Sequence, residues 1–303
     1  MTPAFVITGF LGSGKTTLLI NSARTHFKGK KVAVIVNELG DVGVDGKIIQ
    51  NTYSSVLELP EGCICCSLHA EFEKAIKEIR EKYEPEVLFV ETSGSAEPFP
   101  VMFSLKSLGF SVDGVLCVID AKNFERYSSE STALYQLGGS NIAVINKIDL
   151  VSEEELKKLE DKVFELWESY AVRNAFTGEK LFKELRLYRT SYGTLPEEVF
   201  VGALSLNKLL ELAEEDDHHH HHPYTQRVEF YKEPFEYKNL VGLFKNLPKD
   251  VIRAKGIVRL KHAPYPFFVN YVFGTFEMGE EVPTYKGESF VVFISENPLK
   301  VSV

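Results

Sequence analysis

Gly9-Phe10-Leu11-Gly12-Ser13-Gly14-Lys15-Thr16 follows a short apolar run at residues 5–8 and precedes Thr17-Leu18-Leu19-Ile20, which can open a helix. The octet fits G-x-x-x-x-G-K-[ST] in the strand, loop and helix setting that a phosphate-binding turn requires. Glycines let such a loop curl so that successive backbone N–H groups point at phosphate oxygens. Lys15 adds a point charge toward the β and γ groups, and the Thr16 hydroxyl can hold Mg²⁺. Gly9, Gly12, Ser13, Gly14, Lys15, Thr16 and Thr17 form the expected nucleotide-binding set, with Lys15 and Thr16 also serving catalysis.

Outward from this loop, further apolar runs lie at residues 32–36, 87–90, 115–119 and 142–145, with amphipathic segments between several of them. That rhythm predicts a doubly wound, mostly parallel sheet covered by helices, the α/β architecture of the P-loop NTPases. Phe72, Ala75, Ile76, Ile79 and Tyr83 fall on one helical face. Ser152 and Glu155 make a capping box ahead of Leu156, Leu159, Val163 and Leu166. Both segments read as packing helices.

This first domain is expected over 1–203. A helix at 204–212 and an acidic, histidine-rich linker follow, and they occupy 204–226. A small α+β domain is expected over 227–303, with a strand at 227–231, a helix at 237–244, and strands at 251–260, 267–276 and 290–295.

Asn146-Lys147-Ile148-Asp149 directly follows the run at 142–145, so N-K-x-D stands at the carboxyl end of an expected strand. The Asp149 carboxylate can accept from both the N1–H and the exocyclic amine of guanine. Adenine lacks that donor pair, and a buried polar group left unpaired rejects the wrong base strongly. Glu91-Thr92-Ser93-Gly94 follows another expected strand, so a carboxylate and a flexible glycine stand near the phosphates. Glu91 is a candidate for the magnesium sphere or for positioning the attacking water, with the Gly94 N–H near the γ-phosphate.

The chain has 303 residues, 44% of them hydrophobic and 25% charged, enough for one large and one smaller domain. A formal charge of -9 gives no basic field for a nucleic acid. No apolar run approaches the roughly 20 residues of a membrane-spanning helix, and no secretory leader is evident, so a cytoplasmic protein without a membrane partner is expected.

Of four cysteines, Cys63, Cys65 and Cys66 crowd together in Gly62-Cys63-Ile64-Cys65-Cys66. Such a cluster suits a reduced compartment and metal or redox chemistry better than a disulfide framework. Thiolates prefer Zn²⁺, Co²⁺ or Cu⁺, and a closed tetrahedral site needs four ligands, so at least one must come from elsewhere. Glu38, a second subunit or a client protein are the candidates, and His69 is a further one. An incomplete shell is what a carrier that must release its metal needs. Buried inert cysteines and a redox switch are the competing readings. Cys117, inside an apolar run, reads as core. His218, His219, His220, His221 and His222 can collect ions weakly, or can form a solvated linker with no duty.

Together with Val36-Asn37-Glu38-Leu39-Gly40 and Arg253-Ala254-Lys255-Gly256, these motifs resemble the CobW-like GTPases, relatives of the hydrogenase, urease and nitrile hydratase maturation factors. The resemblance implies a slow GTPase using Mg²⁺ with GTP. It also implies a metallochaperone that passes a transition metal, Zn²⁺ or Co²⁺ ahead of Ni²⁺ or Fe²⁺, to a client protein or cofactor pathway. By the same likeness Glu38 and Asp41 lie in a first switch, Cys63, Cys65 and Cys66 in the metal motif, and Ser191 near the guanine. A homodimer in the GTP- and metal-bound state is compatible with it. Leu39 and Asp41 stand where the family often has Phe and Glu, and Gly139-Ser140 where it often has Ala-Asp. The rival reading is a metal buffer, or a redox or regulatory GTPase, that transfers no metal.

Overall fold

β1 (Thr2–Thr8) is buried from Pro3 to Thr8, and β4 (Val87–Glu91) and β6 (Ile142–Asn146) are buried throughout. Strands flanked by helices on both faces must be apolar on both sides, so they read as continuous hydrophobic runs. The computed structural model describes residues 1–36, 55–58, 69–203 and 225–297. They divide into two compact units, Met1–Val199 and Phe200–Val303.

In the first unit β1, β4 and β6 are joined by β2 (Val32–Val36), β3 (Ser55–Glu58), β5 (Phe110–Asp120) and β7 (Arg186–Arg189). They form a seven-stranded sheet of order β3-β2-β4-β1-β5-β6-β7 in which every pairing is parallel. The chain runs to one side of β1 and then to the other, so the order reverses beside β1. Ligands of such sheets sit in the crevice at the carboxyl ends of the strands flanking that point. Residues 9–14, Glu91, Asp120, Asn146 and Thr190 all lie at those ends.

Among the described residues the α-helices of this unit are α1 (Lys15–His26), α2 (His69–Tyr83), α3 (Pro98–Ser107), α4 (Phe124–Tyr127), α5 (Ser131–Gly138) and α6 (Glu153–Tyr170). On α2, Phe72, Ala75, Ile76 and Ile79 are buried as expected, but Tyr83 in the last turn is exposed. The capping box of α6 is formed: the Glu155 N–H donates to Ser152 Oγ, and the Ser152 N–H donates to Glu155 Oε2 at 2.8 Å. Its buried face is Leu156, Leu159, Val163 and Trp167, while Leu166 packs only partly. Trp167 is drawn inward because its indole N–H donates to Ser140 O at 2.8 Å.

The second unit is a five-stranded antiparallel sheet of order β11-β10-β9-β12-β8. Its strands are β8 (Thr225–Tyr231), β9 (Val251–Val258), β10 (Phe267–Val272), β11 (Thr275–Glu281) and β12 (Ser289–Ser295). The helix expected at 237–244 is α7 (Tyr237–Lys245), and its Leu240 and Phe244 join Ala254, Val269 and Phe293 in a core. The single strand expected at 267–276 is instead a hairpin that turns at Phe273 and Gly274, whose φ angles are 44° and 81°. Two positive φ values match a primed turn, which fits the twist of the flanking strands. Arg253 and Lys255 are buried in β9. The expected helix at 204–212 and the histidine run lie outside the described residues.

Candidate functional site

Between β1 and α1 the chain curls as the octet requires. The Ser13 N–H donates to Phe10 O at 3.2 Å, and the Leu18 N–H donates to Gly14 O at 2.9 Å to start the helix. Gly14 caps α1 at φ 102°, and a Cβ there would stand 2.3 Å from Asn146 Nδ2, so no other residue fits. The first turn of α1 carries no acidic side chain, which leaves its positive end open to an anion. Lys15 is buried, and its ammonium donates to Gly9 O at 2.9 Å and Phe10 O at 3.3 Å, inside the curl. Gly12 and Thr17 are exposed at the rim.

Thr16 Oγ1 donates to Glu91 Oε1 at 2.9 Å, which joins the first turn of α1 to the end of β4. Glu91 is buried, and its second oxygen, Oε2, has no hydrogen-bond partner among the described residues. Burial pushes its carboxyl up to about 7, against the pull of the Lys15 charge and the Thr16 hydroxyl. A threonine oxygen beside an open carboxylate oxygen is a hard-donor pair of the kind Mg²⁺ takes, so these residues fit the ion.

Asn146, at the end of β6, fastens two loops together. Its Nδ2 donates to Ser13 O at 2.9 Å, and its Oδ1 accepts from the Gly193 N–H at 3.2 Å. Lys147, at φ 63°, sends its ammonium to Gly12 O at 2.7 Å and to Asp120 Oδ2 at 2.7 Å. Asp120 ends β5 in register with Asn146, and it also accepts from the N–H groups of Lys122 and Asn123. Burial works to raise its carboxyl, but the hydrogen bonds from Lys147 and Asn123 outweigh that and hold it below the usual range. Asp149, in the single helical turn Ile148–Leu150, is exposed and makes no hydrogen bond or ion pair among the described residues. Ser191 is half-buried in the loop that follows β7, and Asn21 Nδ2 of α1 bonds Tyr192 O in the same loop at 2.5 Å.

Gly94 stands against the phosphate loop, since a Cβ on it would lie 3.0 Å from the Leu11 nitrogen. The structure therefore gathers Gly9 to Thr16, Glu91, Gly94, Asn146, Lys147, Asp149 and Ser191 at one end of the sheet. Asp120, Gln136 and Gly193 were not anticipated. Asp120 left a signal in its place at the end of an apolar run, one strand from Asn146.

Glu38, Asp41, Cys63, Cys65, Cys66 and His218 to His222 lie outside the described residues. Among the described residues no group of three or more His, Cys, Asp or Glu side chains could hold a metal. Cys117 is buried core, its thiol pushed up to about 12 by burial. His26 packs with its Nε2 at 2.9 Å from Leu195 O. Among the described residues no helix is long and apolar enough to cross a membrane.

Comparison with known proteins gives two family matches. The CobW/HypB/UreG nucleotide-binding domain matches residues 3–173, and the cobalamin synthesis protein CobW C-terminal domain matches residues 229–301. Among curated proteins, the zinc chaperone CobW of a Sinorhizobium species is 33% identical over 195 residues, covering 53% of this chain and 55% of that protein. The zinc chaperone YjiA of Escherichia coli is 34% identical over 161 residues, covering 50% of each. The chain spans about half the length of the curated relatives it matches. Among solved structures, the Zn(II)-bound YjiA GTPase of E. coli aligns at a TM-score of 0.46 and 18% identity, covering 97% of this chain and 94% of that one.

Proposed function

The chain belongs to the CobW/HypB/UreG family of nucleotide-binding proteins and carries the CobW C-terminal domain, and from that premise we propose a cytoplasmic GTPase that couples slow hydrolysis to the delivery of a transition metal. The observation that carries the nucleotide half is the stapling of Asn146 and Lys147 to Ser13 and Gly12, with Asp149 exposed and without a partner among the described residues. The base-reading segment is thereby held at a fixed distance from the phosphate loop, and a free carboxylate is presented beside it.

In this reading Asp149 accepts from the two guanine donors, with the Ser191 loop close by. Gly9, Gly12, Ser13, Gly14 and Thr17 line the phosphates, and Lys15 exchanges its two loop carbonyls for phosphate oxygens. Thr16 and Glu91 would hold Mg²⁺, which would supply charge neutralisation to the phosphates. Glu91 and the Gly94 N–H face the transferred phosphoryl group, where a preorganised donor lowers the barrier most.

The cargo metal falls to Cys63, Cys65 and Cys66, with Glu38 as a further ligand and the histidine run as a weak collector. Thiolate softness suits Zn²⁺ and Co²⁺ over Mg²⁺, and the relatives carry the name zinc chaperone, which favours zinc. GTP orders two switch segments, the first from Glu38 to Asp41 and the second from Glu91 to Gly94, and shapes the thiolate site. Hydrolysis then loosens it, and the ion passes to a client.

Competition of unlabelled GTP, GDP and ATP against a fluorescent guanine nucleotide, with phosphate release measured in parallel, tests the nucleotide half. Displacement by guanine nucleotides alone, with slow release of phosphate from GTP, is expected. Equal displacement by ATP would overturn it.

A further inference from the structure

Gln136 lies on α5, outside the phosphate and guanine motifs, and is 1% exposed. Its side-chain amide nitrogen donates to Gly94 O at 3.0 Å and to Ala96 O at 3.1 Å. The orientation of the amide follows from its neighbours, because two carbonyl oxygens face it and only the NH₂ end can serve both. Its other end, Oε1, is buried without a hydrogen-bond partner among the described residues.

The segment it grips is tied at its start as well. The Thr92 N–H donates to Ile7 O at 2.9 Å, and Thr92 Oγ1 donates to Thr8 Oγ1 at 3.0 Å. Between these anchors Gly94 rests on Leu11 of the phosphate loop. The base of the grip is firm: Ser140 Oγ donates to Gln136 O at 2.7 Å, and Ser140 O accepts the Trp167 indole N–H. A peptide unit is planar, so fixing the Gly94 carbonyl also fixes the direction of the Ser95 N–H. Gln136 therefore sets the backbone of a segment that rests on the phosphate loop at Gly94, and the Ala96 N–H closes that segment on Ser93 O at 3.2 Å.

We propose that Gln136 is the positioning residue of the second switch. Its paired donations hold residues 94–96 in the orientation from which the Gly94 N–H meets a γ-phosphate, so it acts on GTP and not on GDP. The inference rests on the GTPase reading given above. The two donations satisfy buried carbonyls, and a side chain without an amide would leave both unpaired.

The test uses the full chain at pH 8 and compares wild type with Gln136→Met and Gln136→Glu, which match it in size. Steady-state kcat and KM for Mg·GTP are measured, together with Kd for GDP and for a non-hydrolysable GTP analogue and the thermal midpoint from Trp167 fluorescence. With both donors lost, Gln136→Met should lower kcat about tenfold or more, with GDP affinity within about twofold of wild type. Gln136→Glu turns lone pairs toward two carbonyls and should be slower still, so the order Gln, Met, Glu in kcat with flat GDP affinity supports the assignment.

Wild-type kcat and analogue affinity in Gln136→Met would overturn it. So would losses of GDP affinity and thermal midpoint that run parallel to kcat, because a plain brace gives that pattern. If wild type itself fails to bind guanine nucleotide or turn over GTP, the GTPase reading fails, and that outcome is visible before any variant is compared.

Discussion

Replacing Asn146 with alanine removes two buried hydrogen bonds at once, to Ser13 O and from the Gly193 N–H. Asn146 is 2% exposed, so the carbonyl and the N–H it leaves behind are screened from water, and each costs more than a typical lost bond. Two net hydrogen bonds and the desolvation of the stranded groups together come to about 2–4 kcal/mol. For a unit of this size that corresponds to a fall in Tm of roughly 5–12 °C.

The chain has a single tryptophan, Trp167, which is buried in the first unit. Tryptophan fluorescence on heating therefore follows that unit alone. The same substitution frees the loop of Ser191 and Gly193 from the phosphate loop, so guanine-nucleotide affinity should fall with stability, by about tenfold or more. A variant with wild-type Tm and wild-type nucleotide affinity would show that the Asn146 staple holds nothing together, and the account of the site would fail with it.

Two further outcomes follow from the same geometry. Xanthine carries a carbonyl where guanine has its amine, so Asp149→Asn, which can donate, should shift preference from GTP toward xanthosine triphosphate by about 1–3 kcal/mol; unchanged preference in nucleotide competition would remove Asp149 from the base site. Glu91 is held protonated to about 7 when folded, whereas an unfolded glutamate loses its proton near 4.5. The folded state therefore binds the extra proton between those values, and the stability of nucleotide-free protein should drop by about 3 kcal/mol as pH rises through that window. Glu91→Gln should abolish that slope and the Mg²⁺ dependence of nucleotide binding, as read by Tm against pH and by titration; a slope retained in the variant would assign it to another group.

The strands of the first unit were legible because a parallel sheet covered on both faces writes itself as uninterrupted apolar runs, and the octet at 9–16 says where the first one ends. Ser152 and Glu155 announced α6 because a capping box is local, and the helix starts where it predicts. Nothing local marks Trp167 as the buried end of that helix, because its partner, Ser140, is far away in sequence. Asp120 and Gln136 were missed for the same reason: what makes them part of the site is Lys147 in one case and the carbonyls of Gly94 and Ala96 in the other. The hairpin at Phe273 and Gly274 looks in sequence like one continuous strand because phenylalanine is an unusual first residue for a primed turn, and a glycine alone is a weak turn signal.

The most direct test of the coupling between nucleotide and metal is competitive Zn²⁺ and Co²⁺ affinity with Mg·GTP or Mg·GDP bound. It is made on wild type and on Cys65→Ser, with His218 to His222 deleted in both to remove their background. The account predicts tighter metal binding with GTP, lost in Cys65→Ser, and by reciprocity a GTP affinity raised by metal through the same factor. Equal metal affinity in the two nucleotide states, or affinity indifferent to Cys65, would contradict it and leave a metal buffer or a redox-regulated GTPase in its place.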